Sequence, residues 1–140
     1  MTLVLDAGPV LADMDAADAH HDVCSALIRA TRERRVIPAP VLPEIDHLAR
    51  RQLGPDSMLA LLRDVRRGSY EVEDLLPTDY ERVEELLRTY RDLGVGFVDA
   101  AVLAIVERLG EPKLATLDRR HFSVMRPRHR ASLELVPTPI

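Results

Sequence analysis

The feature that most constrains this chain is a stretch without charge, from Ala100 to Val106. A surface helix carries polar residues along one side, so an uncharged stretch of this length predicts a helix that is buried on nearly every side. Asp99 stands at its entrance, and Gly94 and Gly96 precede it, where we expect the backbone to approach a neighbour closely. An acid in a first helical turn is also a favourable partner of the helix dipole, so Asp99 alone indicates no function.

Around this helix, short apolar strands alternate with amphipathic helices. Strands are predicted at 3–5, 36–37, 70–73, 114–117 and 133–136, and helices at 20–33, 41–51, 58–65, 78–90 and 98–109, with a break at 6–9. The pattern Thr78-Asp79-Tyr80-Glu81 predicts a capping box at the start of the fourth helix. Such alternation predicts β-α-β units, and therefore one α/β domain over residues 1–140 with a central, mainly parallel sheet.

Composition limits the class of protein. With 46% hydrophobic and 30% charged residues, the chain is typical of a soluble globular domain. It has no run of about 18 apolar residues and no basic-then-apolar leader, so we expect a cytoplasmic protein that neither spans a membrane nor is exported. A single cysteine, Cys24, excludes an internal disulfide and a cysteine-cluster metal site.

Charge is distributed unevenly along the chain. The net charge is −4, but residues 1–112 carry 13 arginines against 21 acids, whereas residues 113–140 carry 6 basic residues against 2 acids. This gradient predicts either a local basic surface for a polyanion or a solvated tail that contains Arg126, Arg128 and Arg130.

Four acids fall at equivalent places in the predicted sheet. Asp6 and Asp118 follow strands, while Glu44 and Asp99 open helices that are entered from the same edge. Carboxylates within roughly 5 Å of one another repel by about 3 kcal/mol per pair at an effective dielectric near 20, so such a cluster needs protons or cations. Oxygen ligands without nearby histidine or cysteine favour Mg²⁺ or Mn²⁺ over zinc, and such a site supports phosphodiester hydrolysis.

Four motifs in this order resemble a known family. They are Leu5-Asp6, Pro43-Glu44-Ile45, Phe97-Val98-Asp99-Ala100 and Thr116-Leu117-Asp118-Arg119-Arg120-His121-Phe122, and together they cover essentially the whole chain. In order and spacing they are similar to those of PIN-domain ribonucleases of the VapC toxin type.

The resemblance implies a three-layer α/β/α fold and Mg²⁺- or Mn²⁺-dependent endonucleolytic cleavage of a structured RNA such as rRNA or tRNA. It also implies a homodimer and a cognate VapB-type antitoxin. Carried onto this sequence, it makes Asp6, Glu44, Asp99 and Asp118 the catalytic acidic quartet. Asp6 and Asp99 would ligate metal directly, Glu44 would ligate metal or position water, and Asp118 would complete a second site.

Residues beside the quartet leave alternatives open. Ala7 stands where many members of this family have a threonine or serine, so backbone amides or water would take the role of that side-chain hydroxyl. Thr116 either supplies a hydroxyl to the site or is simply a β-branched strand residue. Arg119 and Arg120 either contact RNA phosphate or pair with the quartet. We interpret His121 as structural or substrate-contacting rather than as a general base.

Two other classes of function compete with the nuclease. One is a non-catalytic α/β module whose acidic pocket receives an arginine of a partner protein. The other is a phosphotransfer protein. A haloacid-dehalogenase-like phosphatase needs an Asp where Gly8 stands, and a receiver domain needs a lysine after its last core strand, whereas Lys113 precedes the predicted fourth strand.

Overall fold

The computed structural model describes residues 1–138, and its centre is a five-stranded sheet in which every neighbouring pair is parallel. The strands are β1 (Thr2–Leu5), β2 (Arg34–Pro38), β3 (Glu71–Glu73), β4 (Lys113–Ala115) and β5 (Glu134–Val136). Their order is β3-β2-β1-β4-β5, so β1 is central, and all four of its residues are buried. The predicted α/β class with a parallel sheet is confirmed.

Within residues 1–138, seven α-helices flank this sheet in a three-layer α/β/α arrangement. They are α1 (Ala7–Met14), α2 (His21–Ala30), α3 (Leu42–Leu53), α4 (Ser57–Arg66), α5 (Pro77–Thr89), α6 (Phe97–Leu109) and α7 (Arg119–Phe122), with single 3₁₀ turns at Ala39–Val41 and Arg91–Leu93. Residues 100–106 of α6 are all buried, as their lack of charge predicts. Among the described residues, no helix is long and apolar enough to cross a membrane.

Several local predictions were wrong in detail. The helix predicted at 20–33 ends at Ala30, and the strand predicted at 36–37 already begins at Arg34. The predicted break at 6–9 is instead the start of α1, with Asp6 at the N-cap position. Pro9 falls in the first turn, where backbone N–H groups have no helical partner, so the missing N–H of proline costs no hydrogen bond. Strand β4 ends at Ala115 rather than at residue 117. Helix α5 begins at Pro77, one residue early, with Leu76 as its N-cap. The capping box predicted for Thr78 and Glu81 is therefore wrong, and the Asp79 carboxylate instead accepts a hydrogen bond from the Leu76 N–H at 2.8 Å.

The prediction of close backbone approach at Gly94 and Gly96 was also wrong. A Cβ atom at either position would have no neighbour within 4 Å; Gly94 is needed instead for its left-handed conformation, with φ +69°. The close approach lies at Gly8, where a Cβ atom would be 3.1 Å from Leu117 Cβ. The first turn of α1 therefore packs directly against the loop after β4.

Ion pairs hold α6 against its neighbour α5. The Arg82 guanidinium donates two hydrogen bonds to the Glu107 carboxylate, at 2.8 and 2.9 Å. Arg108 pairs with Asp79 at 2.9 Å and with Glu73 at 2.7 Å, which adds the end of β3 to the same network. These contacts fix the orientation of the helix that carries Asp99.

Candidate active site

The four predicted acids line one cleft of about 300 Å³ at the carboxyl edge of the sheet. Each is placed by the start of a helix: Asp6 directly precedes α1, Glu44 and Asp99 lie in the first turns of α3 and α6, and Asp118 caps α7 through its side chain. The apolar part of the lining is Leu11, Leu48 and Leu117. The structure thus brings the quartet together, as the predicted strand and helix ends require.

Asp6 is the most enclosed acid of the cleft, with 7% of its surface exposed. Its backbone N–H continues the sheet by donating to the Ala115 carbonyl at 2.9 Å, which leaves the side chain just beyond β1. Burial raises the pKa of this carboxyl, and the charges of Asp99 and Asp118 raise it further, whereas the Thr116 hydroxyl and the Ala7 N–H oppose the rise.

Thr116 supplies the hydroxyl that Ala7 does not. It is fully buried, its Oγ1 donates to Asp6 Oδ2 at 2.8 Å, and it accepts a hydrogen bond from the Asp118 N–H at 3.1 Å. One hydroxyl therefore joins two members of the quartet. Of the two interpretations of Thr116 from the sequence, the structure supports the site hydroxyl.

Glu44 is an exposed acid of the cleft. Partial burial raises the pKa of its carboxyl, and the charges of Asp6, Asp99 and Asp118 act in the same direction. The repulsion among these acids disfavours the fully ionised cluster. A bound cation would relieve that repulsion.

Asp99 and Asp118 form a tight group with His121. One ligand atom from each of the three residues lies within 4.8 Å of the others. His121 Nδ1 is 2.7 Å from Asp99 Oδ2, and both side chains are about four-fifths buried, with 17% and 20% of their surfaces exposed. The premise that no histidine lies near the acids was therefore wrong, because the short helix α7 turns His121 back towards α6.

The two arginines after Asp118 have different surroundings. The Arg119 guanidinium donates to the Leu135 carbonyl at 2.9 Å and to the Pro137 carbonyl, so it secures the end of β5 rather than pairing with the quartet. The Arg120 side chain is exposed, while its N–H donates to Asp118 Oδ1 at 3.0 Å.

This donor set fits a divalent cation. Several carboxylates share a partly buried cleft, two have raised pKa values, and a further nitrogen ligand lies beside them. Carboxylate oxygens are the ligands of Mg²⁺ and Mn²⁺ in proteins, and the open side of the cleft leaves room for substrate.

Comparison with known proteins agrees with this geometry. The family model described as PIN domain matches residues 3–126. The chain belongs to the PIN-domain family. That match contains all four acids of the cleft.

A curated relative places this PIN domain with the VapC type. Ribonuclease VapC26 from Mycobacterium tuberculosis is 32% identical over 125 residues, which cover 89% of this chain and 93% of the relative. The predicted family is confirmed.

Solved structures share the fold. VapC20 of Mycobacterium tuberculosis, a sarcin–ricin loop cleaving toxin, matches with a TM-score of 0.72 at 23% identity. The match covers 80% of this chain and 86% of the VapC20 chain. VapBC2 from Rickettsia felis, bound to a DNA fragment from its promoter, has a TM-score of 0.70 at 16% identity, with 98% and 100% covered.

Proposed function

We propose that this PIN domain is the toxin of a type II toxin–antitoxin pair and cleaves structured RNA at the acidic cleft, with Mg²⁺ or Mn²⁺ bound there. The observation that carries the proposal is the convergence of Asp6, Glu44, Asp99 and Asp118 on one cleft. The 32% identity to a VapC ribonuclease supports the same chemistry.

The four acids are assigned different roles according to their positions in the cleft. Asp6 and Asp99 are the less exposed carboxylates of the cleft, and Asp6 also accepts a hydrogen bond from Thr116, so we assign these two as direct metal ligands. Asp118 completes the ligand set, and Glu44, which is exposed, holds a ligand position or orients the attacking water. A divalent ion bound in such a site supplies an acidified water and charge stabilisation for the leaving oxygen.

RNA would be held by its phosphates beside this cleft. Arg120 is the arginine we assign to phosphate contact, since its side chain is exposed only two residues after Asp118. Arg119 and His121 remain predictions as RNA contacts, and both have partners within the protein. The fold shared with a sarcin–ricin loop cleaving toxin favours a ribosomal RNA loop over tRNA as the substrate.

The proposal extends to the protein's partners and setting. We place residues 1–140 in a single domain that acts in the cytoplasm and assembles as a homodimer. A VapB-type antitoxin encoded beside it would block the cleft. Structural neighbours that are toxin–antitoxin complexes support such a partner.

A direct test is cleavage of ribosomal RNA and of a tRNA pool by the purified chain with Mn²⁺ or Mg²⁺. We expect defined fragments from the wild type and at least about a hundredfold slower cleavage by Asp99→Asn, because that change removes one charge from the ligand set. Asp92→Asn, on the 3₁₀ turn outside the cleft, is the matched control and should cleave normally. Equal cleavage by wild type and Asp99→Asn would contradict catalysis at this cleft, and no cleavage by either would favour the non-catalytic, partner-binding module.

A further inference from the structure

The position of His121 is set by the core rather than by solvent. It lies on α7, whose Phe122 is 3% exposed and anchors the turn. The Asp118 carboxylate accepts from the Arg120 N–H and so caps the same turn from its start. The imidazole is thereby held 2.7 Å from Asp99 Oδ2.

We propose that His121 is itself a metal ligand, together with Asp99 and Asp118, and that it makes this cleft select a transition-metal ion over Mg²⁺. The inference rests on the proposed function in that it uses the same acidic cleft. It adds a nitrogen ligand to a site that the acids alone would make selective for ions that prefer oxygen.

The spacing of the three ligand atoms suits one ion. With metal–ligand bonds of about 2.1 Å in an octahedron, neighbouring ligand atoms lie about 3 Å apart and opposite ones about 4.2 Å apart. The distance of 2.7 Å between Asp99 Oδ2 and His121 Nδ1 is close to that of neighbouring ligands. The ligand atoms of all three residues lie within 4.8 Å of one another, which is close to the distance between opposite ligands. Small side-chain rotations would close the group around an ion.

The chemistry of the nitrogen gives the selectivity. Mg²⁺ takes oxygen ligands and keeps its waters, whereas imidazole is a ligand of transition metals. Mn²⁺ binds most weakly among the first-row divalent transition metals and also accepts oxygen ligands, so the test of the nitrogen ligand is the loss of Mn²⁺ preference when the imidazole is removed.

The competing role for His121 is positioning. Its Nδ1–H would then donate to Asp99 and orient that carboxylate without touching the ion. His121→Asn separates the two roles, because an amide N–H can replace the hydrogen bond to Asp99 but supplies no imidazole nitrogen. His20→Asn is the matched control, since His20 is 58% exposed and pairs with Asp18 outside the cleft.

The experiment measures ion binding without RNA. Metal-free full-length wild type, His121→Asn and His20→Asn are titrated with Mn²⁺ by electron paramagnetic resonance, and Mg²⁺ affinity is obtained by competition. Pulsed resonance then detects magnetic coupling between bound Mn²⁺ and an imidazole nitrogen. Thermal unfolding in EDTA checks that each variant is folded.

We expect nitrogen coupling in the wild type and its loss in His121→Asn. Mn²⁺ affinity should fall at least about tenfold in that variant, while Mg²⁺ affinity changes less than about threefold. His20→Asn should match the wild type in both affinities. If His121→Asn does not fold, the coupling spectrum of the wild type alone decides the question.

Two results overturn the inference in different ways. Absent nitrogen coupling, or equal changes in both affinities, makes His121 a positioning residue and leaves the proposed ribonuclease intact. Failure of the wild type to bind either ion removes this inference and also the metal site of the proposed function.

Discussion

The Thr116 hydroxyl offers the most direct energetic test of how the cleft is built. Thr116 is fully buried, and its Oγ1 donates to a carboxylate that is only 7% exposed. Thr116→Val keeps the shape of the side chain but removes this donor. The Asp6 carboxylate then loses a charge-assisted partner that water cannot readily replace.

The expected loss follows from the type of bond. A hydrogen bond to a charged group contributes about 1.5–3 kcal/mol, and the extra apolar methyl of valine returns less than about 1 kcal/mol. The net loss is therefore about 2 kcal/mol at pH 7. For a chain of this length, about 3–4 °C of melting temperature correspond to each kcal/mol, so the melting temperature should fall by about 6–8 °C.

Thr116→Ser is the matched control because it keeps the hydroxyl and loses one methyl group. That loss costs about 1 kcal/mol, or about 3–4 °C. The assay is calorimetric unfolding in EDTA at pH 7, repeated at stepwise lower pH, where the difference between the valine and serine variants should shrink as Asp6, whose pKa is raised by burial, becomes protonated and needs its donor less. A valine variant as stable as the serine variant at pH 7 would refute the reasoning.

Three further results are expected. The pKa values of Asp6 and Glu44 are raised in the folded state, so these acids bind protons more tightly there than in the unfolded chain. The free energy of unfolding in EDTA should therefore fall as pH rises from about 4 through the raised pKa values. An unchanged free energy of unfolding over pH 4–7 would contradict the burial of the cluster. Mn²⁺ at about 100 times its dissociation constant should add about 2.7 kcal/mol to the wild type and little to Asp99→Asn, as measured by thermal shift; an equal shift in both would place the ion elsewhere. Glu107→Gln should destabilise the protein by about 1–3 kcal/mol in urea unfolding, because Arg82, 15% exposed, loses its closer charged partner and keeps Glu85 at 3.6 Å. Glu84→Gln, at a side chain that is 70% exposed, should change stability by less than about 1 kcal/mol.

Local sequence was sufficient for the parts of the fold that depend on local physics. The absence of charge from Ala100 to Val106 decided that α6 is buried, because a charged side chain there would lose its hydration. The order of strands and helices predicted a parallel sheet, and the carboxyl ends of parallel strands share one edge. Hence the convergence of the four acids could be predicted from the sequence before any distance was known.

The sequence by itself determined which four acids meet at the cleft, whereas the tertiary structure decided how each is held and which other side chains surround them. Thr116 reaches Asp6 across 110 positions, and His121 reaches Asp99 across 22. Neither spacing follows a helical or strand period, so no local pattern indicates the contact. The direction of a side chain beyond a strand end depends on the turn that follows, and that turn is set by packing such as Gly8 against Leu117. Only the folded chain could therefore place an imidazole beside the acids and direct Arg119 away from them.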